Sequence, residues 1–342
     1  MNRILAGLVR GLPLLAAAGC ATTDPLPVAA PYTPSELAAV KASARDPRVF
    51  FMNVYRDERD VPVYTDANRI YQDITVYLPF VSSPGTSLPM IAGSVRSGGA
   101  LQALTDTTTA ESWLALDRRK VLGFEILGPD PRAVQPQHVL DDVPGLAGVL
   151  PELRLSELRV EMVLLYGRAA HGSLWPLTRD PRTGTADAVL GMDLLRAFSW
   201  VQWDFPNRLL VLSTQPPVAD PETRRLAELP LQSAAGPLVV EAEIEGRTVS
   251  ITLDTAGDYE FCADSPPSDI VRQLSLGELV LRRLQARDPR TLGLTPGGPR
   301  LGLRALAPFR LTLDNRRKMV YIDAPAEAGS TPAADDDLDD LP

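Results

Sequence analysis

Only two cysteines, Cys20 and Cys262, and two histidines, His138 and His171, occur in 342 residues. So small a supply excludes a disulfide framework and leaves no clustered donor set for a metal, and no cofactor motif stands out. Basic residues are also short. Against 43 acids stand 34 lysines and arginines, a formal charge of −9, with no stripe that could follow a nucleic-acid backbone. Beyond the first twenty residues no segment is apolar for long enough to span a membrane. What the chain holds in quantity is proline, 32 residues, which opposes long helices and favours short strands, turns and linkers. An apolar share of 45% and a charged share of 23% are those of a globular protein. The length suffices for one large domain or two ordinary ones.

The opening "MNRILAGLVRGLPLLAAAGC" has a basic start, an apolar stretch and small residues leading to Cys20. Arg10 and Pro13 interrupt it, so it reads as a secretory signal rather than a span. "AAGC" resembles a bacterial lipobox, with Ala17 where leucine is commonest. Lipidation would make Cys20 the mature N-terminus, anchor the protein in the cell envelope facing periplasm or surface, and leave Cys262 unpaired. The other reading is cleavage after Ala18 and a soluble secreted product. Residues 21–74 follow as a Pro-, Ala- and Thr-rich tether and an N-terminal extension, in which Thr33, Pro34 and Glu36 predict a capped helix. Residues 324–342 form an acidic tail expected to be disordered.

The body repeats itself. "PMIAGSVRSGGALQALTDT" runs from Pro89 through Asp106, and "PLVVEAEIEGRTVSITLDT" from Pro237 through Asp254, without a gap between the copies. Gly98 falls opposite Gly246, and Thr107 opposite Thr255. A second match sets "LRLSELRV" against "LSLGELVL", both alternating like half-buried strands. A third sets "VLGMDLLRAFSWVQWDFPNRLLVL" against "RLGLRALAPFRLTLDNRRKMVYI", pairing Gly191 with Gly302 and Phe198 with Phe309. Each third element predicts a helical turn and then a hairpin with Asp204 or Asp314 at its bend. Three elements in one order define two related lobes, residues 75–215 and 235–323, with 216–234 as linker. Both lobes read as mostly β.

On these residues the chain resembles the aspartic peptidases of the retropepsin and pepsin type. That family places a hydrophobic strand before D-T-G in each lobe and a hydrophobic-hydrophobic-Gly element behind it. "ALTDTT" and "ITLDTA" stand at the first position here, "VLG" and "RLG" at the second. The resemblance implies two β-barrel-like lobes with a cleft between them, and a polypeptide substrate or peptide ligand lying in it. It implies a catalytic dyad of Asp106 and Asp254 sharing one proton and one water. Thr107 and Thr255 would cross-link the two loops, and Gly191 and Gly302 would support them. Gly145 and Gly148 in "DVPGLAGVLPEL" mark the candidate flap of lobe 1.

The chain departs from the family at the third motif position, where Thr108 and Ala256 replace glycine. A side chain there would crowd the water site or shift a carboxylate, although Gly257 in "DTAGD" offers lobe 2 some freedom one residue later. Two functions are therefore expected as alternatives: peptide-bond hydrolysis through the dyad, or peptide binding by an inactive descendant of the fold. His138 and His171 read as loop histidines, Cys262 as a buried small hydrophobe, and Trp200 and Trp203 as core or lobe-packing residues.

Overall fold

The computed structural model describes residues 30–325, apart from 59–60, 82–87, 129–137, 141–142, 173, 175–185, 218–222, 265, 267 and 295. For 138–140 it describes the backbone alone. The signal with Cys20, the start of the tether and the end of the acidic tail lie outside these residues. Among those described, no helix is long and apolar enough to cross a membrane.

The alternating segments close into two barrels of six strands. Round the first ring run Met90–Val95, Ala100–Thr105, Ala188–Leu190, Trp113–Ala115, Leu158–Arg168 and Val143–Leu155, which returns to Met90–Val95. Round the second run Val239–Ile244, Arg247–Asp254, Arg300–Gly302, Phe261–Cys262, Leu279–Arg287 and Ile270–Leu276. The cyclic order is the same strand for strand, with the two parallel contacts at matching places. The fold is therefore mostly β, with two related barrel lobes, as the repeat predicts. In lobe 2 the first hairpin turns through Glu245 and Gly246, both at positive φ (50° and 80°), the conformation that lets a two-residue loop follow the strand twist.

The hairpin of the third repeated element leaves its barrel. Trp200–Asp204 and Leu209–Ser213 of lobe 1 join Arg310–Asp314 and Met319–Pro325 of lobe 2 in one antiparallel sheet. Thr75–Pro79 closes one edge and Thr223–Pro230 the other. At its centre Gln202 faces Thr312 and donates to it at 2.9 Å, so the sheet has matching halves on either side. Val201, Trp203, Leu210, Leu212, Leu311, Leu313, Val320 and Ile322 are buried there. Each such side chain contributes about 1.5–3 kcal/mol of burial, so this platform is a substantial fastening between the lobes. Asp204 and Asp314 accept from Asn207 N (3.1 Å) and Arg317 N (2.9 Å), capping the two hairpin bends in the same way. Asp204 also pairs with Arg310 across the lobe boundary at 2.8 Å.

Much of the segment expected to be linker is built into this platform. Thr223–Pro230 pairs along Met319–Pro325, held by an Arg225–Asp323 ion pair at 2.5 Å and by the Arg225 guanidinium 4.0 Å over the Tyr321 ring. The N-terminal extension packs on lobe 1. Its helix, Pro34–Lys41, carries the expected capping box between Thr33 and Glu36. Val40, Met52 and Tyr64 join the core, while Arg45 and Arg69 bridge by backbone to Leu127 and Glu161.

Candidate functional site

Each repeated aspartate ends a strand that the hydrophobic-hydrophobic-Gly element flanks in parallel. Ala100–Thr105 delivers Asp106 beside Ala188–Leu190, and Asp106 N donates to Leu190 O at 3.1 Å. In lobe 2, Asp254 lies opposite Gly302. The glycines earn their place by close approach. A Cβ on Gly191 would lie 2.4 Å from Glu111 O, and one on Gly302 would lie 2.2 Å from Tyr259 O. Both loops are thus pressed against the flanking element, and matching amides fasten them: Met192 N to Thr109 O (2.9 Å) and Leu303 N to Gly257 O (2.8 Å).

The two threonines join the lobes. Thr107 Oγ1 donates to Leu253 O at 2.5 Å and accepts from Thr255 N at 3.1 Å. Thr255 Oγ1 donates to Thr105 O at 3.0 Å and accepts from Thr107 N at 3.3 Å. Each hydroxyl spends its one proton on the other lobe's carbonyl and its lone pair on the other lobe's amide. The result is a closed, reciprocal set of four bonds, with both side chains fully buried. Below it, Trp203 Nε1 donates to Thr105 Oγ1 at 2.9 Å, tying the loop of lobe 1 to the platform.

The carboxylates are held from within their own lobes. Asp106 Oδ1 accepts from Thr108 N at 2.8 Å and from Thr108 Oγ1 at 2.7 Å, and Oδ2 accepts from Thr109 Oγ1 at 2.9 Å. Asp254 Oδ1 accepts from Ala256 N at 3.0 Å, and its Oδ2 accepts a short hydrogen bond from Tyr259 OH. The third motif position keeps its amide on the carboxylate in both lobes without a glycine. Ala256 is buried, and Thr108 turns its hydroxyl onto Asp106. Gly257, expected to offer the loop some freedom, is not among the glycines at positive φ; what it provides is space. A Cβ there would lie 2.4 Å from Tyr259 Cε1 and 2.6 Å from Asp254 Oδ2. Asp106 and Asp254 both have no exposed surface in this conformation.

Other predicted positions fall elsewhere. Gly145 and Gly148 lie within the strand Val143–Leu155 of lobe 1. Gly145 is paired to His138 and Arg168, and Gly148 to Ile126 and Leu165. A Cβ on Gly148 would lie 2.2 Å from Phe124 Cζ, so this glycine admits an aromatic ring. The turn preceding Val143 lies outside the described residues. His171 is half-exposed, 3.1 Å from Glu36, with its ring tilted against that of Tyr32 at 4.6 Å between centroids. Cys262 and Trp203 are buried. Among the described residues no group of three or more His, Cys, Asp or Glu could hold a metal ion.

The residues that sequence reasoning missed are Thr109 and Tyr259. A hydroxyl three residues after Asp106 was a readable signal, but a tyrosine five residues after Asp254 carries none without the fold. Behind the loop of lobe 1 sits a further, part-buried acid, Asp193, accepting from Ser112 Oγ (2.5 Å), Ser112 N (3.0 Å) and Leu194 N (2.7 Å). Burial pushes its carboxyl up to about 6, against the opposing pull of those hydrogen bonds.

No family model and no curated protein matches the chain.

Proposed function

We propose that this protein is a hydrolase of the aspartic-peptidase type that cleaves polypeptides through Asp106 and Asp254, lying in a cleft between the lobes, in the cell envelope where lipidated Cys20 anchors it. One observation carries the reading: the reciprocal Thr107–Thr255 bonds tie together two loops that present matched aspartates, each with an amide at the third motif position on its carboxylate. A purely architectural repeat has no need to bind two buried acids at one seam, because burying charge is costly. In the reaction one carboxylate takes a proton from a water as that water attacks the scissile carbonyl, and the protonated partner supports the developing oxyanion and then the leaving amine. Since neither carboxylate is exposed, turnover requires the covering side chains to part far enough to admit substrate and water.

That same burial favours a second reading, peptide binding without cleavage. One experiment separates them. The purified protein is incubated with a peptide library from acid to neutral pH beside Asp106→Asn and Asp254→Asn, and the products are mapped by mass spectrometry. Cleavage at defined bonds, lost in both variants, is the expected result. Absence of cleavage at every pH, with extended peptides still bound, would replace the first reading by the second.

A further inference from the structure

The lobes solve one problem in two ways. In lobe 1 the second oxygen of Asp106 takes its hydrogen bond from Thr109, three residues on. The repeat sets Gly257 at the corresponding position of lobe 2, where there is no hydroxyl. Tyr259, two residues further, folds back instead and donates its phenol proton to Asp254 Oδ2. Two glycines make room for it. A Cβ on Gly257 would lie 2.4 Å from Tyr259 Cε1 and 2.7 Å from Cζ, and one on Gly302 would lie 2.6 Å from Cδ2 and 2.8 Å from Cε2. The backbone is fixed as well, by Tyr259 N to Gly257 O at 2.8 Å and Arg304 N to Tyr259 O at 3.1 Å. The ring is buried, so its hydroxyl has little competition from solvent.

We infer that Tyr259 is the positioning residue for the carboxylate of lobe 2, supplying to Asp254 the hydroxyl that Thr109 supplies to Asp106. The inference rests on the two-aspartate reading. A phenol keeps its proton throughout the acid-to-neutral range, so toward a carboxylate oxygen it acts as the donor. Tyr259 therefore fixes the rotation of the Asp254 side chain. The substitution of the motif glycine by Ala256 and the retention of Gly257 become parts of one arrangement. The glycine sits where the tyrosine needs it.

The test uses Tyr259→Phe, which keeps the ring, with Tyr77→Phe as an exposed control. First, the side-chain carboxyl 13C resonance of Asp254 is assigned by its loss in Asp254→Asn. It is expected to move in Tyr259→Phe and to stay in place in Tyr77→Phe. Second, in the cleavage assay Tyr259→Phe is expected to lower kcat with KM little changed, and Tyr77→Phe to change neither. Third, Gly257→Ser should fail alone, because the ring blocks it. Combined with Tyr259→Ala it should recover part of the lost rate, by placing the hydroxyl where lobe 1 has it. An unmoved resonance and an unchanged kcat in Tyr259→Phe would overturn the inference. If the wild-type protein cleaves nothing, the hydrolytic reading falls, and the carboxyl resonance still decides the role of Tyr259.

Discussion

Replacing Thr107 with valine keeps the shape of the side chain and removes its hydroxyl. Two buried partners in the other lobe are then orphaned, the Leu253 carbonyl and the Thr255 amide. At about 1–3 kcal/mol for each unsatisfied group, the expected loss is roughly 2–6 kcal/mol in urea unfolding, and Thr255→Val should cost a similar amount. Thr107→Ser restores the hydroxyl and should recover most of it; a valine variant as stable as the serine one would contradict the geometry. Asp193 gives a prediction in pH. Its folded carboxyl is raised above the ordinary 3.8 to about 6, so the folded state binds the proton more tightly than the unfolded chain. The stabilising contribution is fully present below about pH 4 and is lost as pH rises through about 6. The full shift corresponds to roughly 3 kcal/mol at most. Asp193→Asn should therefore flatten the stability curve between about pH 4 and pH 6, measured by urea unfolding at a series of pH values. A slope unchanged by the substitution would contradict the assignment of the dependence to Asp193. The sequence could show the aspartates and threonines because the repeat marks them. It could not show Tyr259, because its contact depends on a ring folding back over a glycine.

Among the elements, the flanking Gly strands set the tolerances of the site. Gly302→Ala would drive a Cβ to within 2.2 Å of Tyr259 O, a backbone atom that cannot swing aside. The expected cost is about 1–3 kcal/mol, whereas Gly298→Ala, which meets nothing within 4 Å, should be nearly neutral. Thermal unfolding of the two variants checks this, and equal stability would contradict the close packing. The strands feeding the aspartates and the two late hairpins were legible because alternation and turn residues agree there. The strands Trp113–Ala115 and Phe261–Cys262 were not, being three and two residues long and so too short to show a period. Thr223–Pro230 was hidden for another reason: its charges and its terminal proline suit an edge strand as well as they suit a linker.

At the scale of the molecule the repeat revealed two lobes but not how they are fastened. Period-2 alternation says which face of a strand is buried and nothing about its partner, so the exchange of Trp200–Asp204 and Arg310–Asp314 into one platform was not readable. The platform and the threonine bonds both join the lobes, and Asp106 and Asp254 each sit next to one of the bonded threonines. The measurement that bears on this most directly is kcat/KM for a library-selected peptide across pH in the wild type, Asp106→Asn, Asp254→Asn and the double variant. Two residues acting as one unit should give single losses that each match the double loss, since removing either aspartate removes the shared water's activation. Independent, additive losses, or cleavage that survives either substitution, would contradict a dyad.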